Sequence, residues 1–380
     1  MGLSFNAMAF DFLKKIGLPR ISIPGFSGSK SIVGIDIGVS SVKVVQLRKE
    51  SERGILETYG ELKTAPYLKT GEGGVGGGFL RFLDSDISGL LKDVMRESNI
   101  TTNKAVVAIP AISSFVTLVQ LPTTDRAEVA KAVEFEARKY VPIPISEVSL
   151  DWQIIDEGDL APADAANKTK VLLVAVPKEV VAKYNRVFEE AKLVIKGLEV
   201  ETFSLVRSLI GHDKSPTALI NIGSQSTTIA IVDRGVVMLS HNLDRGSNDL
   251  TSALSRGLGI TLERANAFKQ EIGLSDHPED KEIASVISPL VEILLSELER
   301  IINSYNRTTE RRVEKVYLTG GGSRLKGFVD QTAKRLGLET IQPNPFSRVT
   351  YPAFMQPILK DLGPTFPVAV GLALREITPH

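Results

Sequence analysis

The sequence predicts a two-lobed α/β fold, and three short segments predict it. Ile32-Val33-Gly34-Ile35-Asp36-Ile37-Gly38-Val39-Ser40-Ser41-Val42-Lys43 and Leu219-Ile220-Asn221-Ile222-Gly223-Ser224-Gln225-Ser226-Thr227-Thr228 each read as an apolar strand, a tight turn and the start of a second strand. Val316-Tyr317-Leu318-Thr319-Gly320-Gly321-Gly322-Ser323 repeats the pattern near the C-terminus. The apolar runs mark buried strands, while glycine and small hydroxyl residues let backbone N–H groups approach an anion closely. One glycine-rich turn would carry little weight. Three of them, in order along a duplicated chain, imply a nucleotide held between two lobes.

The other elements follow from pattern. In residues 3–18, Leu3, Phe5, Met8, Phe10, Phe12, Leu13, Ile16 and Leu18 form an apolar set interrupted by Asp11, Lys14 and Lys15, and Pro19 disfavours further helix. Two readings stand for it: a terminal helix docked on its own core, or a segment for a partner or membrane surface. Residues 21–30 read as a linker, and 64–78 as a glycine-rich surface excursion. A helix is predicted over 86–97 and a strand over 105–109. The helix over 126–140 is expected to place Val129, Val133, Ala137 and Tyr140 on one face, with Pro142 and Pro144 stopping it. Strands at 148–155 and 171–176 flank a polar excursion at 156–169, and Pro177 opens a helix running toward Ala191. The second half begins near Thr217 with strands at 218–222, 227–232 and 235–240, which echo the opening unit and suggest duplication. A long helix over 281–305, with a kink expected at Pro289, carries Ile283, Ile287, Leu290, Leu294, Leu298, Ile301 and Tyr305 as its apolar stripe.

With 380 residues, the chain is long enough for two lobes with separate cores. Its 45 basic and 45 acidic residues cancel, which removes the electrostatic reason to expect a nucleic-acid partner. Cysteine is absent, so disulfides, thiolate catalysis and cysteine-ligated zinc are excluded. No apolar run is long enough to cross a bilayer, and the N-terminus has no signal-peptide core, so the chain is expected to stay on the side where it is made.

The order of these segments resembles the actin-like ATPase superfamily. Phe135-Glu136-Ala137-Arg138-Lys139-Tyr140-Val141-Pro142, followed by Val174-Ala175-Val176-Pro177-Lys178, narrows the resemblance to the PilM family of type IV pilus assembly proteins, relatives of the FtsA cell-division proteins. It covers about residues 30–376, with Pro367-Val368-Ala369-Val370-Gly371-Leu372-Ala373 matching the second connecting helix. The fold it implies is actin-like, with a small inserted subdomain of the FtsA/PilM type. The expected division is 1–30 (amphipathic segment and linker), 31–110 (first lobe, first part), 111–177 (inserted subdomain), 178–216 (first lobe, second part, and connection), 217–366 (second lobe) and 367–380 (returning helix and C-terminus).

The resemblance also implies a site for ATP or ADP with Mg2+. In phosphate loop one, Asp36 would hold a metal-bound water, the amides of Gly38, Ser40 and Ser41 would meet phosphate oxygens, and Lys43 would offset their charge. A turn-capping Asp36 and a solvent-facing Lys43 are the alternative. In phosphate loop two, Gly223, Ser224, Gln225, Thr227 and Thr228 keep the small and hydroxyl chemistry. Asn221 stands there in place of the usual aspartate, reaching metal only through water and without its charge. Binding with slow or absent hydrolysis is the expectation. Gly320, Gly321, Gly322 and Ser323 match the adenosine loop. Glu263, Asn266 and Lys269 match the helix that contacts ribose and adenine, although Glu263 and Lys269 could equally solvate that helix. Glu201, on the first connecting segment, either orients attacking water or stabilises a helix start. His212 and His241 form no metal-ligand set.

The function implied is an ATP-binding scaffold of the pilus assembly complex, cytoplasmic and peripheral to the inner membrane. It would bind the cytoplasmic N-terminal tail of a PilN-like membrane protein and communicate with other platform or motor components; homo-oligomerisation is left open. Phe135, Arg138, Tyr140, Val141 and Pro142 are the residues placed near the tail. An FtsA-like filament former is disfavoured by the short tail with Arg375 and Glu376, and a sugar or acetate kinase by the lack of a second substrate pocket.

Overall fold

The computed structural model describes residues 31–67, 82–123, 125–155 and 169–377. The segment at 3–18, the linker at 21–30, most of the excursion at 64–78 and nearly all of that at 156–169 lie outside the described residues.

The first lobe is built on a five-stranded sheet of β1 (Ser31–Ile37), β2 (Ser41–Glu50), β3 (Arg53–Lys63), β4 (Lys104–Ile109) and β8 (Val194–Val200), in the order β3-β2-β1-β4-β8. The second is built on β9 (Thr217–Ile222), β10 (Thr227–Asp233), β11 (Val236–Leu243), β12 (Lys315–Thr319) and β13 (Glu339–Ile341), in the order β11-β10-β9-β12-β13. The pairings correspond strand for strand. β1 is antiparallel to β2 and parallel to β4, as β9 is to β10 and β12. Central parallel strands are covered on both faces, so they read as solid apolar runs; Val33, Ile35, Ala105, Val107 and Ile109 are all buried.

Between the two halves of the first lobe, β5 (Phe115–Leu121), β6 (Val148–Ile155) and β7 (Thr169–Pro177) form a separate antiparallel sheet, ordered β5-β7-β6. The Arg126–Ala137 helix packs on it through Val129, Val133 and Ala137, and Asp125 caps its start by accepting from the Ala127 and Glu128 amides. This helix is shorter than the sequence pattern predicts. It ends at Ala137 because the chain tightens into a turn, with the Lys139 amide bonding the Glu136 carbonyl and the Tyr140 amide the Ala137 carbonyl. Tyr140 is therefore 48% exposed, and Val141 takes the buried place expected for it.

The Lys281–Thr308 helix runs unbroken through Pro289. Its buried stripe is Ile283, Ile287, Val291, Leu295, Leu298, Ile301, Ile302 and Tyr305, so burial falls one position beyond the expected Leu290 and Leu294. Two connecting helices pass between the lobes. Glu201–Leu205 continues into the wider π-helical turn Val206–Ile210, and every residue of Pro367–Leu374 is buried. The second of these lies directly on β1, where a Cβ on Gly34 would stand 2.1 Å from the Ala369 carbonyl oxygen.

Candidate functional site

The β1–β2 and β9–β10 hairpins close in the same way. The Gly38 amide bonds the Ser41 carbonyl at 3.0 Å, and the Gly223 amide bonds the Ser226 carbonyl at 2.9 Å. A Cβ on either glycine would stand 2.9 Å from that same carbonyl, so glycine is what allows both turns to close. The amides of Val39, Ser40, Ser224 and Gln225 make no hydrogen bond among the described residues. Each turn thus presents successive unpaired N–H groups, the arrangement that receives an anion.

Asp36 and Asn221 hold equivalent places one residue from the ends of β1 and β9. Across the hairpin, Asp36 pairs with Lys43 and Asn221 with Thr228. A charged pair in the first lobe is therefore matched by an uncharged pair in the second. Lys43 Nζ donates to Ser41 Oγ at 2.8 Å and lies 3.9 Å from Glu61 Oε1. Burial pushes the Asp36 carboxyl above its ordinary range, Lys43 opposes this, and Glu61 adds to it. Burial would raise Glu61 as well, but the Ser41 hydrogen bond and the charges of Lys43 and Lys63 bring it below its ordinary value. Lys43 is thus partly enclosed between groups of the first lobe and does not point freely into solvent.

The third glycine segment packs onto the second hairpin. Gly320 has φ +83°, and a Cβ there would stand 2.4 Å from the Ile222 carbonyl oxygen and 2.6 Å from Asn221 Oδ1. A Cβ on Gly322 would meet Ile222 Cγ2 at 2.2 Å, whereas Gly321 faces open space. Ser323 is buried and donates to the Gly320 carbonyl at 2.8 Å. The helix Leu262–Glu271 separates its expected contacts. Glu263 is exposed and Asn266 half-buried, while Lys269 is buried with Nζ donating to Thr251 Oγ1 at 2.7 Å and the Ser247 carbonyl at 3.1 Å. Burial pushes Lys269 down to about 8. Solvation describes Glu263 but not Lys269.

Glu201 opens its helix without capping it. Its Oε1 instead accepts from the Ala111 amide at 3.2 Å and lies 3.4 Å from the Thr228 hydroxyl, so a first-lobe carboxylate reaches the second lobe's hairpin. Thr228 also donates to Asn242 Oδ1 at 3.0 Å, and Asn242 Nδ2 donates to the Ala111 carbonyl at 2.9 Å. Sequence reasoning missed Ala111 and Asn242, because neither belongs to a motif; Asn242 faces Thr228 across the β10–β11 pair, while Ala111 and Glu201 come from distant points of the chain.

Burial, with the Asp36 charge adding to it, raises Glu201 from 4.5 to about 7 despite the Ala111 and Thr228 bonds. A carboxyl raised on folding contributes stability that is complete below the unfolded value and lost as pH rises through the folded one. Glu201→Gln is therefore expected to melt a few degrees above the parent at pH 8 and to lose that advantage below about pH 5. Thermal melts of both proteins across this range test the assignment, and a pH-independent difference would refute it.

The residues expected at a partner surface divide. Tyr140 and Val141 line a cavity of about 380 Å³ between the inserted sheet and β11, which also has Phe115, Val116, His241 and Asn242 on its walls. Phe135 is 64% exposed, with Lys139 Nζ 5.9 Å from its ring centroid, and Arg138 and Pro142 are also exposed. Among the described residues, no cluster of three or more His, Cys, Asp or Glu could hold a metal, and no helix is long and apolar enough to cross a membrane.

Comparison with solved structures finds a protein described as the PilM-PilN type IV pilus biogenesis complex. It is 25% identical, with a TM-score of 0.78 over 92% of this chain and 99% of that one. The ethanolamine utilization protein EutJ from Carboxydothermus hydrogenoformans shares the fold at 17% identity, with a TM-score of 0.53 over 93% of this chain and 90% of its own. Residues 34–377 match the family described as type IV pilus assembly protein PilM. The two corresponding sheets with an inserted third, together with a family match over nearly all of the described structure, establish that this chain belongs to the PilM family of type IV pilus assembly proteins.

Proposed function

We propose that the chain is a nucleotide-holding scaffold of type IV pilus assembly, cytoplasmic and peripheral to the inner membrane. It would bind the cytoplasmic N-terminal tail of a PilN-like membrane protein, as the PilM–PilN complex it resembles suggests. The observation that carries the nucleotide reading is the pair of matching hairpins, each closed by a glycine and each with successive unpaired amides. These suit the phosphates of ATP or ADP. Asp36 would hold Mg2+ through water, Lys43 would offset phosphate charge, and Gly321 would leave room beside the nucleoside. Bound magnesium would neutralise phosphate charge, and Asn221 would add a water ligand without a second negative charge. With Glu201 held by Ala111 and Thr228, and Asn221 paired with an uncharged Thr228, the arrangement suits binding and lobe positioning better than rapid hydrolysis.

The inserted subdomain at 111–177 would receive the tail, with Tyr140 and Val141 on the cavity side and Phe135, Arg138 and Pro142 on its outer rim. Asp36→Ala is expected to weaken binding of magnesium nucleotide at least about tenfold, the scale of one lost charge-assisted contact. Calorimetry on the folded variant measures this. Parental affinity in Asp36→Ala, or no nucleotide binding by the parent at millimolar concentration, would defeat the reading.

A further inference from the structure

The short helical turn Ala353–Met355 runs straight into the helix Gln356–Leu362. One face of this unit is committed inward: Leu359 is fully buried, and Met355 and Leu362 pack against the first-lobe core. Phe354 and Ile358, one helical turn apart, lie on the flank of that face and are 80% and 57% exposed. Pro352, Ala353 and Pro357 are exposed beside them, so an apolar surface without a charged residue faces outward over 352–358. Phe354 is the most exposed large apolar side chain among the described residues, and the functional reading above gives it no role. Contiguous exposed apolar surface of this kind marks an interaction site.

The chain itself supplies an occupant. Phe5, Met8, Phe12 and Ile16 recur at the three- and four-residue spacing that places side chains on one face of a helix, and Asp11, Lys14 and Lys15 fall on the other. This segment enters the fold at Ser31, close to the exposed surface. Ser31 faces Arg48 across β1 and β2, Arg48 faces Ile55 across β2 and β3, and Ile55 bridges Thr350, two residues before Pro352. Three neighbouring backbones apart is about 15 Å. Residues 19–30, which join the segment to β1, can extend to about 40 Å, so they reach the surface with length to spare. A second copy of the chain is a poorer occupant. Five small and medium-sized contacts fall short of the roughly 1,200 Å² that a stable association buries, whereas a tethered segment needs less because its linker keeps it nearby.

We propose that residues 3–18 pack as a helix on the 352–358 surface of their own chain, with Phe5, Met8, Phe12 and Ile16 against Phe354, Pro357 and Ile358. Of the two readings that the sequence leaves for this segment, the docked one then has a definite seat. The inference is independent of the nucleotide and of the partner tail. It assigns the surface beside the edge strand β3 to the N-terminal segment, leaving the cavity at the inserted sheet free for other ligands.

The test exploits the absence of cysteine from the chain. Ala9→Cys combined with Ala353→Cys gives the full-length protein two thiols, one on the segment and one on the exposed surface. Ala9→Cys with Ser285→Cys, at an exposed position on the long helix of the second lobe, is the control. A short bismaleimide is added at low protein concentration, and the products are resolved by denaturing electrophoresis and peptide mass spectrometry. The Ala353 pair is expected to cross-link within one chain at least about tenfold faster than the Ser285 pair, the advantage of a seated segment over a merely tethered one. Adding Phe354→Ser and Ile358→Ser, or Phe12→Ser alone, should remove that advantage; the last substitution lies outside the packed core, so it reads docking even where the first two disturb folding. Equal rates for the two pairs would overturn the proposal, as would an advantage that survives these substitutions. Cross-linked dimers in place of the intramolecular product would overturn it in favour of a second copy. No intramolecular product above the control, with the chain sedimenting on phosphatidylglycerol vesicles, would overturn it in favour of the membrane-surface reading.

Discussion

Glu199→Ala is expected to destabilise the protein by about 3–5 kcal/mol, the usual result of removing one partner from a buried ion pair. Arg207 grips Glu199 with both terminal nitrogens, at 2.8 and 2.9 Å, and Arg375 Nε lies 3.5 Å from the same carboxylate. The Glu199 side chain is 0% exposed and those of the two arginines 8% and 4%, so two buried cations share one buried anion. Without Glu199 their charges repel in a space water barely enters, and among the described residues Arg207 keeps its 2.9 Å bond to the Gly371 carbonyl. The cluster pins β8, the first connecting helix and the end of the second to one another, so its loss should loosen the join between the lobes. Urea denaturation of parent and variant measures the effect. A loss below about 1 kcal/mol, the range of an exposed pair, would show that the carboxylate is not holding the arginines.

Gly371→Ala is the second large effect. The connecting helices cross here with backbone against backbone, and a Cβ on Gly371 would stand 1.9 Å from the Ser204 carbonyl oxygen. That oxygen is part of a helix and cannot swing aside as a side chain would. Alanine is the better helix former by about 1 kcal/mol, which offsets only part of the overlap. Overpacking a core costs about 1–3 kcal/mol, and more where backbone must shift, so a net loss of about 2–3 kcal/mol is expected. Denaturant titration gives the value, and stability equal to the parent would mean that the helices separate freely. Because Arg207 bonds the Gly371 carbonyl, this substitution and Glu199→Ala should combine non-additively.

What could be read from sequence is what repeats over short distances. The β1–β2 and β9–β10 hairpins were legible because apolar strands and a glycine turn are local signals, and the same turn bond forms in both. Val129, Val133 and Ala137 were legible from helical period. Tyr140 was misplaced because periodicity carries no mark of where a helix tightens into a turn. Pro289 is a local signal too, yet the Lys281–Thr308 helix runs through it, held by its buried stripe.

By itself, the sequence determined the two corresponding halves, the small-residue turns and the exchange of an acidic for a neutral residue between Asp36 and Asn221. Each is a property of neighbouring residues whose backbone preferences and burial pattern need no distant partner. Only the tertiary structure decided that Glu201 reaches Ala111 and Thr228 instead of its own helix end, that Asn242 belongs to both cavity and cleft, and that Glu199 gathers Arg207 and Arg375. Glu199 and Arg207 stand eight residues apart, but the contacts of Glu201 with Ala111 and Thr228, of Asn242 with Ala111 and of Arg375 with Glu199 join distant parts of the chain, and they form because burial favours a partner for polar groups that only tertiary packing brings within reach.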